Sequence, residues 1–348
     1  MQSGYSRLDK LLHRMALGSR DIAEMSFRID QGLVKPDREG VPGENHVFVS
    51  GLARAGTTII MRRLYATEAF RSLTYRDMPF VLAPNLWQRL RRDSARAGQV
   101  AERAHGDGVE VGFDSPESLD EVFWRVFCGR DYIRPDRLCP HAPSKEVILD
   151  YRSYVAAILA SDEMGPRRYL SKNNNNILRL EAILKALPEA VILVPFREPT
   201  AHALSLQAQH HRFCELQTAD SFVRSYMGWL AHHEFGLDHR PFQFPTCCAP
   251  MGQADRNQLS YWLDLWRRTH EWLLSHDDPR IHFICYDVLC SDASAWSVVA
   301  KKCAVSADIG EREQLERRPS RDPGPIEAEL QNLCAGVYER LRARALVG

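Results

Sequence analysis

The sequence predicts an α/β fold in which a central parallel sheet lies between two layers of helices, with further helices inserted. Short apolar runs alternate with longer segments whose apolar residues have helical spacing, as in proteins built on parallel sheets. The run 190–196 (AVILVPF) is apolar throughout, which is typical of a strand buried on both faces. The run 46–50 (HVFVS) leads directly into a glycine-flanked turn and then a helix.

The other elements follow from the same periodicity and from turn residues. Apolar residues spaced three and four apart predict a helix over 177–187, which Pro188 ends, and Pro199 stands where another helix begins. Trp262 and Trp266 share one helical face and are expected in the core rather than on a sugar-binding surface. The predicted strands cover 46–50, 72–75, 168–171, 190–196 and 281–285, and the remaining predicted helices cover 57–65, 84–96, 119–127, 147–159, 219–233, 259–274 and 326–346.

Composition sets the class of protein and its size. The 348 residues include 45 basic and 45 acidic side chains, so the formal net charge is zero. A general nucleic-acid binder usually has a basic excess, and this balance argues against that class. We expect one domain over 1–348, with an N-terminal helical extension (1–44), a lid and helical insertion (84–165) and a C-terminal helix (324–348).

The distribution of apolar residues and cysteines indicates the cellular compartment. No stretch approaches the roughly 20 apolar residues that span a bilayer, and the first 20 residues lack the apolar core of a signal peptide. We therefore expect a cytoplasmic protein, or one on the cytosolic side of a membrane, with no transmembrane segment. The nine cysteines include no CxxC pair, so most should be small buried side chains rather than disulfide partners. The histidine pairs 210–211 and 232–233 lack the spacing of a helical metal site, and we expect no metal.

The first candidate binding site is the loop that follows the strand 46–50. In GLARAGTT, Gly51 and Gly56 are separated by four residues, and Thr57 and Thr58 open the helix. This is the spacing of the nucleotide phosphate loop, except that Thr57 replaces the lysine that reaches β- and γ-phosphates. Backbone N–H groups at the helix N-terminus can still hold an anion, and Arg54 adds positive charge. A plain strand–turn–helix without a ligand would have the same pattern.

A second candidate anion site lies in PFREPTAHALS. Arg197 stands at the carboxyl end of the strand 190–196, where ligands bind in open α/β sheets, and Ser205 lies about two helical turns further on. These two side chains can grip one phosphate unless Arg197 pairs instead with Glu198 or another surface carboxylate. A nucleotide phosphorylated at both its 5′ and 3′ ends would need both sites.

These motifs, strand–GxxRxGTT and strand–REPxxxALS, together resemble the nucleotide-dependent sulfotransferases. The resemblance implies a P-loop-like fold and 3′-phosphoadenosine 5′-phosphosulfate (PAPS) as donor, without a metal. It implies that Arg54, Ala55, Gly56, Thr57 and Thr58 hold the 5′ end and that Arg197 and Ser205 hold the 3′ phosphate. Two further segments fit, YLSKNNNN with Lys172 and FICYDVLC with Tyr286 near the base, so the matches run in order from about 47 to 289.

The sequence departs from the family pattern at three positions. Asn174 and Asn176 stand where proline and histidine are common, and Ile59 stands where cytosolic members often have tryptophan. The pattern resembles the bacterial and Golgi-type carbohydrate or tyrosine sulfotransferases more than the cytosolic branch. We expect Arg54, Lys172 and the loop N–H groups to stabilise charge on the departing nucleotide.

The general base and the acceptor are less determined. Asp77, just after the predicted strand 72–75, is the first candidate for the base, followed by His105, Glu110, Asp114 and Glu121. The expected acceptor is a hydroxyl of a carbohydrate or glycolipid, with tyrosine or a small natural product left open. Rival interpretations are a P-loop kinase or nucleotide hydrolase and a non-catalytic nucleotide-binding protein.

Overall fold

The fold is built on a central sheet of six parallel strands. A computed structural model describes residues 7–35, 41, 45–90, 101–102, 110–111, 119–165, 167–245, 251, 255–308 and 324–348. The strands of the sheet, in spatial order, are β2 (Phe70–Arg71), β5 (Arg168–Lys172), β1 (Val47–Val49), β6 (Val191–Phe196), β7 (Ile281–Cys285) and β8 (Ala345–Val347). A separate antiparallel pair joins β3 (Ala101–Glu102) and β4 (Glu110–Val111).

Helices cover both faces of the sheet, which confirms the predicted α/β class. The helices described are α1 (Arg7–Gly18), α2 (Arg20–Val34), α3 (Thr57–Tyr65), α4 (Pro84–Leu90), α5 (Glu121–Tyr132), α6 (Lys145–Ala160), α7 (Leu180–Ala186), α8 (Pro199–Ala219), α9 (Ser221–Trp229), α10 (Leu259–Leu274), α11 (Tyr286–Ser291), α12 (Ala295–Lys302) and α13 (Ala328–Arg344). The bounds of α3, α10 and β7 agree with the prediction to the residue.

The register of the central strands brings the candidate site to one edge of the sheet. Val49 of β1 lies opposite Lys172 of β5 on one side and Leu193 of β6 on the other. All residues of β1 and β6 are buried, as expected of strands covered on both faces. Because the strands are parallel, the segments that follow β1, β5, β6 and β7 all emerge at the same edge.

Several predicted elements are different in the structure. The second strand is Phe70–Arg71 rather than 72–75, since Thr74 starts a short 3-10 helix, Tyr75–Asp77, closed by a capping box. The predicted helix 177–187 begins as a 3-10 helix, Asn174–Leu178, before α7. The predicted C-terminal helix ends at Arg344, because the last apolar residues pair with the edge of β7 as β8.

Two hydrophobic cores stabilise the two faces of the sheet. The larger core contains the fully buried rings of Trp124, Trp262 and Trp266, which confirms the core position predicted for the last two. The smaller core lies between the sheet and α3, α11 and α12. No helix in the described ranges is long and apolar enough to cross a membrane.

The described parts of the insertion and extension contain helices and two short strands. Segment 1–44 contains α1 and α2, and segment 84–165 contains α4 to α6 together with β3 and β4. Most of the predicted lid, between Gly98 and Ser118, lies outside the described residues. The seven described cysteines form no disulfide bond with one another. The division of the chain into these segments of one domain stays a prediction.

Candidate functional site

The loop after β1 ends in a backbone conformation that only glycine can adopt here. Arg54 and Gly56 both have positive φ angles, 70° and 94°, and Gly56 caps the N-terminus of α3. A Cβ on Gly56 would lie 2.3 Å from Cδ2 of Tyr286, which is too close for two carbon atoms that are not bonded. The ring of Tyr286, at the end of β7, therefore packs directly on the loop, and residue 56 must be glycine.

The second motif is fixed by a helix cap. Glu198 accepts hydrogen bonds from the backbone N–H groups of Thr200 (3.0 Å) and Ala201 (2.7 Å), so its carboxylate caps α8. The N–H of Glu198 donates to Asp287 at 2.8 Å, which joins this motif to the end of β7. The carboxylate of Glu198 is thus engaged by the helix N-terminus, while Arg197 has different partners.

The two motifs meet through their arginines. Arg54 Nε donates to Ser205 Oγ at 3.2 Å, and Arg197 Nη1 donates to the carbonyl of Arg54 at 3.3 Å. The guanidinium of Arg197 also lies 5.7 Å from the centre of the Tyr286 ring, within cation–π range. The structure therefore brings together five of the predicted binding residues, in one cluster at the carboxyl edge of the sheet: Arg54, Gly56, Arg197, Ser205 and Tyr286.

A buried histidine holds the loop against α8. His202 is fully buried, and burial holds its pKa well below the ordinary value, although the bond to Ala53 opposes this effect. The imidazole is therefore neutral, and its Nε2 donates to the carbonyl of Ala53 at 2.7 Å. His202 was not predicted as a site residue, because a histidine inside a predicted helix has no pattern that marks it as a support for a distant loop.

The cluster has donor capacity that the protein itself does not use. Nε of Arg197 is buried and has no hydrogen-bond partner among the described residues. An unpaired buried donor is costly, and a ligand anion can satisfy it. Two arginines, a serine and the N-terminus of α3 at one sheet edge suit phosphate or sulfate groups. The residues present therefore fit a nucleotide that carries more than one such group.

Comparisons with known proteins agree with this arrangement. The model of the sulfotransferase family matches residues 46–245, more than half of the chain. The chain belongs to the sulfotransferase family. The match spans the strand before the GLARAGTT loop, the Lys172 segment and the Arg197–Ser205 motif.

A solved structure of a bacterial sulfotransferase resembles this fold. A sulfotransferase from Mycobacterium tuberculosis superposes with a TM-score of 0.51 at 14% identity, covering 98% of this chain and 88% of its own. One from Mycobacterium avium gives a TM-score of 0.45 at 17% identity, covering 93% and 74%. No curated protein sequence gives a significant match. At such identities the structural likeness concerns the fold, and the family assignment comes from the sequence model.

In this sulfotransferase, Lys172 lies on the strand next to the one that leads into the loop. It is the last residue of β5, is 8% exposed and lies opposite Val49, the last residue of β1. The next residue, Asn173, caps the following 3-10 helix and donates its amide to the carboxylate of Glu121 at 2.6 Å. Lys172 is thus presented at the carboxyl edge from the strand next to the phosphate-type loop.

The predicted base Asp77 has a carboxylate engaged in local structure. Its Oδ1 accepts from Arg71 at 2.6 Å, and its Oδ2 accepts from the backbone N–H of Thr74 at 2.7 Å. Both Arg71 and Asp77 are buried. Asp77 therefore stabilises the turn after β2, while its role as a base stays a prediction.

Glu121, a second candidate base, is an ion-pair partner as well. Its two oxygens accept from the two terminal nitrogens of Arg179 at 2.7 and 3.1 Å, and both side chains are fully buried. Tyr132 donates to the same carboxylate. Glu121 therefore anchors the guanidinium of Arg179 inside the core.

Three more candidate bases from the sequence stay predictions. His105 and Asp114 lie outside the described residues, and so does the side chain of Glu110, whose backbone belongs to β4. No group of three or more His, Cys, Asp or Glu in the described ranges is arranged to hold a metal ion.

A polar turn, 231–234, packs against the Lys172 segment and was not predicted. Asn174 Nδ2 donates to Glu234 at 3.0 Å, and Asn175 Nδ2 donates to the carbonyl of Ala231 at 3.2 Å. The adjacent histidine pair 232–233 is the sequence signal that points to this turn, and it was considered only as a metal motif. The partners are 60 and 56 positions apart, so no local spacing joins them.

Proposed function

We propose that this sulfotransferase transfers a sulfuryl group from PAPS to the hydroxyl of a carbohydrate or glycolipid. The observation that carries the proposal is the convergence of Arg54, Arg197, Ser205 and Tyr286 at the carboxyl edge of the sheet. A donor phosphorylated at both ends needs two neighbouring anion sites, and the hydrogen bonds between residues of the two motifs support this assignment. Membership of the family supports the choice of donor.

Each side chain has a distinct binding role in this proposal. Arg197 and Ser205 bind the 3′ phosphate, with Nε of Arg197 as an available donor. The backbone N–H groups of 55–58, with the N-terminus of α3, bind the 5′ end. Arg54 belongs to the loop for the 5′ end, and its Nε donates to Ser205 of the 3′-phosphate site, so we place its guanidinium between the two anionic groups of the donor. Tyr286 lies near the base.

The chemistry depends on position and charge. The donor supplies an activated sulfuryl group, whose transfer resembles phosphoryl transfer through a loose, in-line transition state. Arg54, Lys172 and the loop N–H groups stabilise the negative charge that develops on the leaving bridging oxygen. None of these contributions requires a metal.

The choice of acceptor rests on the resemblance to particular branches of the family. A carbohydrate or glycolipid hydroxyl is favoured by the resemblance to bacterial and Golgi-type members. The lid predicted between Gly98 and Ser118 would shape the choice of acceptor, and we place the reaction in the cytoplasm.

The proposal is tested by following the release of 3′,5′-bisphosphoadenosine from PAPS in the presence of EDTA. We expect release with a mixed glycan or glycolipid acceptor, no effect of EDTA, and a loss of about 10²-fold or more in Lys172→Ala, since a removed charge-stabilising group typically costs this much. Hydrolysis of Mg-ATP without activity on PAPS would instead support a kinase or nucleotide hydrolase. Binding without any turnover would support a non-catalytic protein.

A further inference from the structure

The turn 231–234 presents a histidine and a glutamate next to the end of β5. Ala231 adopts a positive φ of 54°, and its carbonyl accepts from Asn175. Glu234, three residues further on, contacts Asn174. Oε2 of Glu234 lies 3.5 Å from Nδ1 of His232, and the two side chains are 10% and 17% exposed.

Glu234 remains ionised in this environment. Burial alone would raise its pKa, but His232 and the hydrogen bond from Asn174 hold the pKa of Glu234 well below its usual range. A carboxylate only accepts hydrogen bonds, so the neighbouring Nδ1 carries a proton, and in the neutral imidazole the lone pair is then on Nε2. A histidine oriented by a buried carboxylate is the arrangement with which enzymes prepare a general base, because the carboxylate stabilises the imidazolium that forms.

The turn is close to the candidate site along a short path. Asn174, which holds Glu234, is two residues after Lys172, and two residues span about 7 Å at most. Lys172 in turn lies opposite Val49 at the start of the phosphate-type loop. Oδ1 of Asn174 is buried and has no hydrogen-bond partner among the described residues, so it can accept from a substrate hydroxyl.

We propose that His232, oriented by Glu234, is the general base that accepts the proton of the acceptor hydroxyl; this inference rests on the proposed sulfuryl transfer. In that step the acceptor oxygen forms a bond to sulfur, and the bond from sulfur to the 5′-phosphate oxygen breaks. The departing nucleotide keeps the electron pair, and the hydroxyl proton moves to Nε2 of His232. Asn174 is a positioning residue, because it acts by holding Glu234. The carboxylates of Asp77 and Glu121, by contrast, are each engaged by a buried arginine.

Charged or titratable groups on the same turn and on the neighbouring β5 affect the pH response of the His232 imidazole. On its own turn these are Glu234 and His233, whose pKa is lowered to about 4 by burial and then by Arg240. Arg240 donates to His233 Nε2 at 3.0 Å. From β5, the nearest charged residue in sequence to Asn174 is Lys172. Glu234 is the anion in direct contact, so its removal should have the largest effect.

The test measures single-turnover release of 3′,5′-bisphosphoadenosine from PAPS with water as acceptor, as a function of pH. We expect the wild-type rate to fall at acidic pH as the base becomes protonated. His232→Gln should lower the plateau about 10²-fold or more and abolish this acidic limb. Glu234→Gln should move the limb to lower pH, because the imidazolium loses its counter-charge. His211→Gln, on the exposed part of α8, is the matched control and should behave as wild type.

Two further measurements separate the possible outcomes. Calorimetric binding of 3′,5′-bisphosphoadenosine should be unchanged in every variant, which shows that the donor site is folded. If His232→Gln is poorly folded, His232→Ala should recover activity when imidazole is added to the solution. A normal rate and pH limb in His232→Gln, or no recovery by imidazole, would overturn the base assignment alone. A wild-type protein that neither binds the bisphosphate nor consumes PAPS would overturn the proposed function instead.

Discussion

Replacement of Gly56 by alanine tests how tightly the loop is built. The new Cβ would lie 2.3 Å from Tyr286 Cδ2 and 2.5 Å from its Cε2, so the ring or the loop must move. Overpacking of this kind costs about 1–3 kcal/mol. The φ of 94° adds about 1–2 kcal/mol for a residue with a Cβ. We therefore expect Gly56→Ala to lose about 2–5 kcal/mol of unfolding free energy.

The assay is thermal unfolding by circular dichroism. For chains of this length or somewhat shorter, 1 kcal/mol corresponds to about 2 °C, so the melting temperature should fall by about 4–10 °C. The matched control is Gly336→Ala inside α13, where a Cβ meets nothing within 4 Å, and this change should stabilise by up to about 1 kcal/mol. Adding Tyr286→Ala to Gly56→Ala should recover the packing part of the loss and leave the backbone part.

The reasoning would be refuted by a Gly56→Ala protein that melts at the wild-type temperature. It would also fail if Tyr286→Ala made the loss larger than the sum of the two single changes, because the ring would then not be the obstacle. Binding of 3′,5′-bisphosphoadenosine should weaken at least tenfold in Gly56→Ala, since a displaced loop misdirects its N–H groups.

Three buried carboxylates give further predictions. Glu121→Gln should lower stability by about 3–5 kcal/mol in chemical denaturation, because it leaves the guanidinium of Arg179 buried beside a neutral amide. Asp77→Asn should destabilise through Arg71 in the same way, by a similar or smaller amount, and should leave turnover per folded molecule within a few-fold of wild type. Burial raises the pKa of Asp120 from 3.8 to about 6, so the folded protein holds the proton of this carboxyl more tightly than the unfolded chain does. The protonated Asp120 therefore stabilises the fold fully below about pH 4, and this stabilisation is lost as pH rises through 6. Relative to wild type, Asp120→Asn should therefore gain up to about 3 kcal/mol between pH 4 and 7, measured by denaturation at several pH values.

Each of these predictions would be contradicted by a specific result. A Glu121→Gln protein as stable as wild type would mean that Arg179 finds other partners. A large loss of turnover in well-folded Asp77→Asn, with nucleotide binding retained, would favour Asp77 over His232 as the base. A stability difference between Asp120→Asn and wild type that does not change with pH would mean that Asp120 keeps an ordinary pKa.

The sequence was sufficient for the parts of the fold and site that depend on local pattern. The run 190–196 and the GLARAGTT loop predicted the central strands and α3, because buried parallel strands and glycine turns have strong local signatures. Arg197 and Ser205 were identified from their place at a strand end and the next helix. The replacement of the phosphate-loop lysine by Thr57 could also be seen in the sequence, since it changes one position of a known motif.

Other features depend on contacts between distant segments and were not readable. The contact between Gly56 and Tyr286 joins residues 230 positions apart, and the ion pair of Asp77 with Arg71 depends on a strand that is only two residues long. The apolar end of the chain has a helical pattern, and only the free edge of β7 makes it a strand. The pair of His232 and Glu234 belongs to a turn whose position is set by Asn174 and Asn175.

The most direct test of the account is a calorimetric titration with 3′,5′-bisphosphoadenosine, without metal, beside a titration with Mg-ATP. We expect tight binding of the bisphosphate, and Arg197→Ala should weaken it at least tenfold because a charge-assisted hydrogen bond to the 3′ phosphate contributes about 1.5–3 kcal/mol. Adenosine 5′-phosphate, which lacks the 3′ group, should bind more weakly and be insensitive to Arg197→Ala. Preference for Mg-ATP, or equal binding of the bisphosphate by wild type and Arg197→Ala, would contradict the assignment of the two anion sites to one PAPS-type nucleotide.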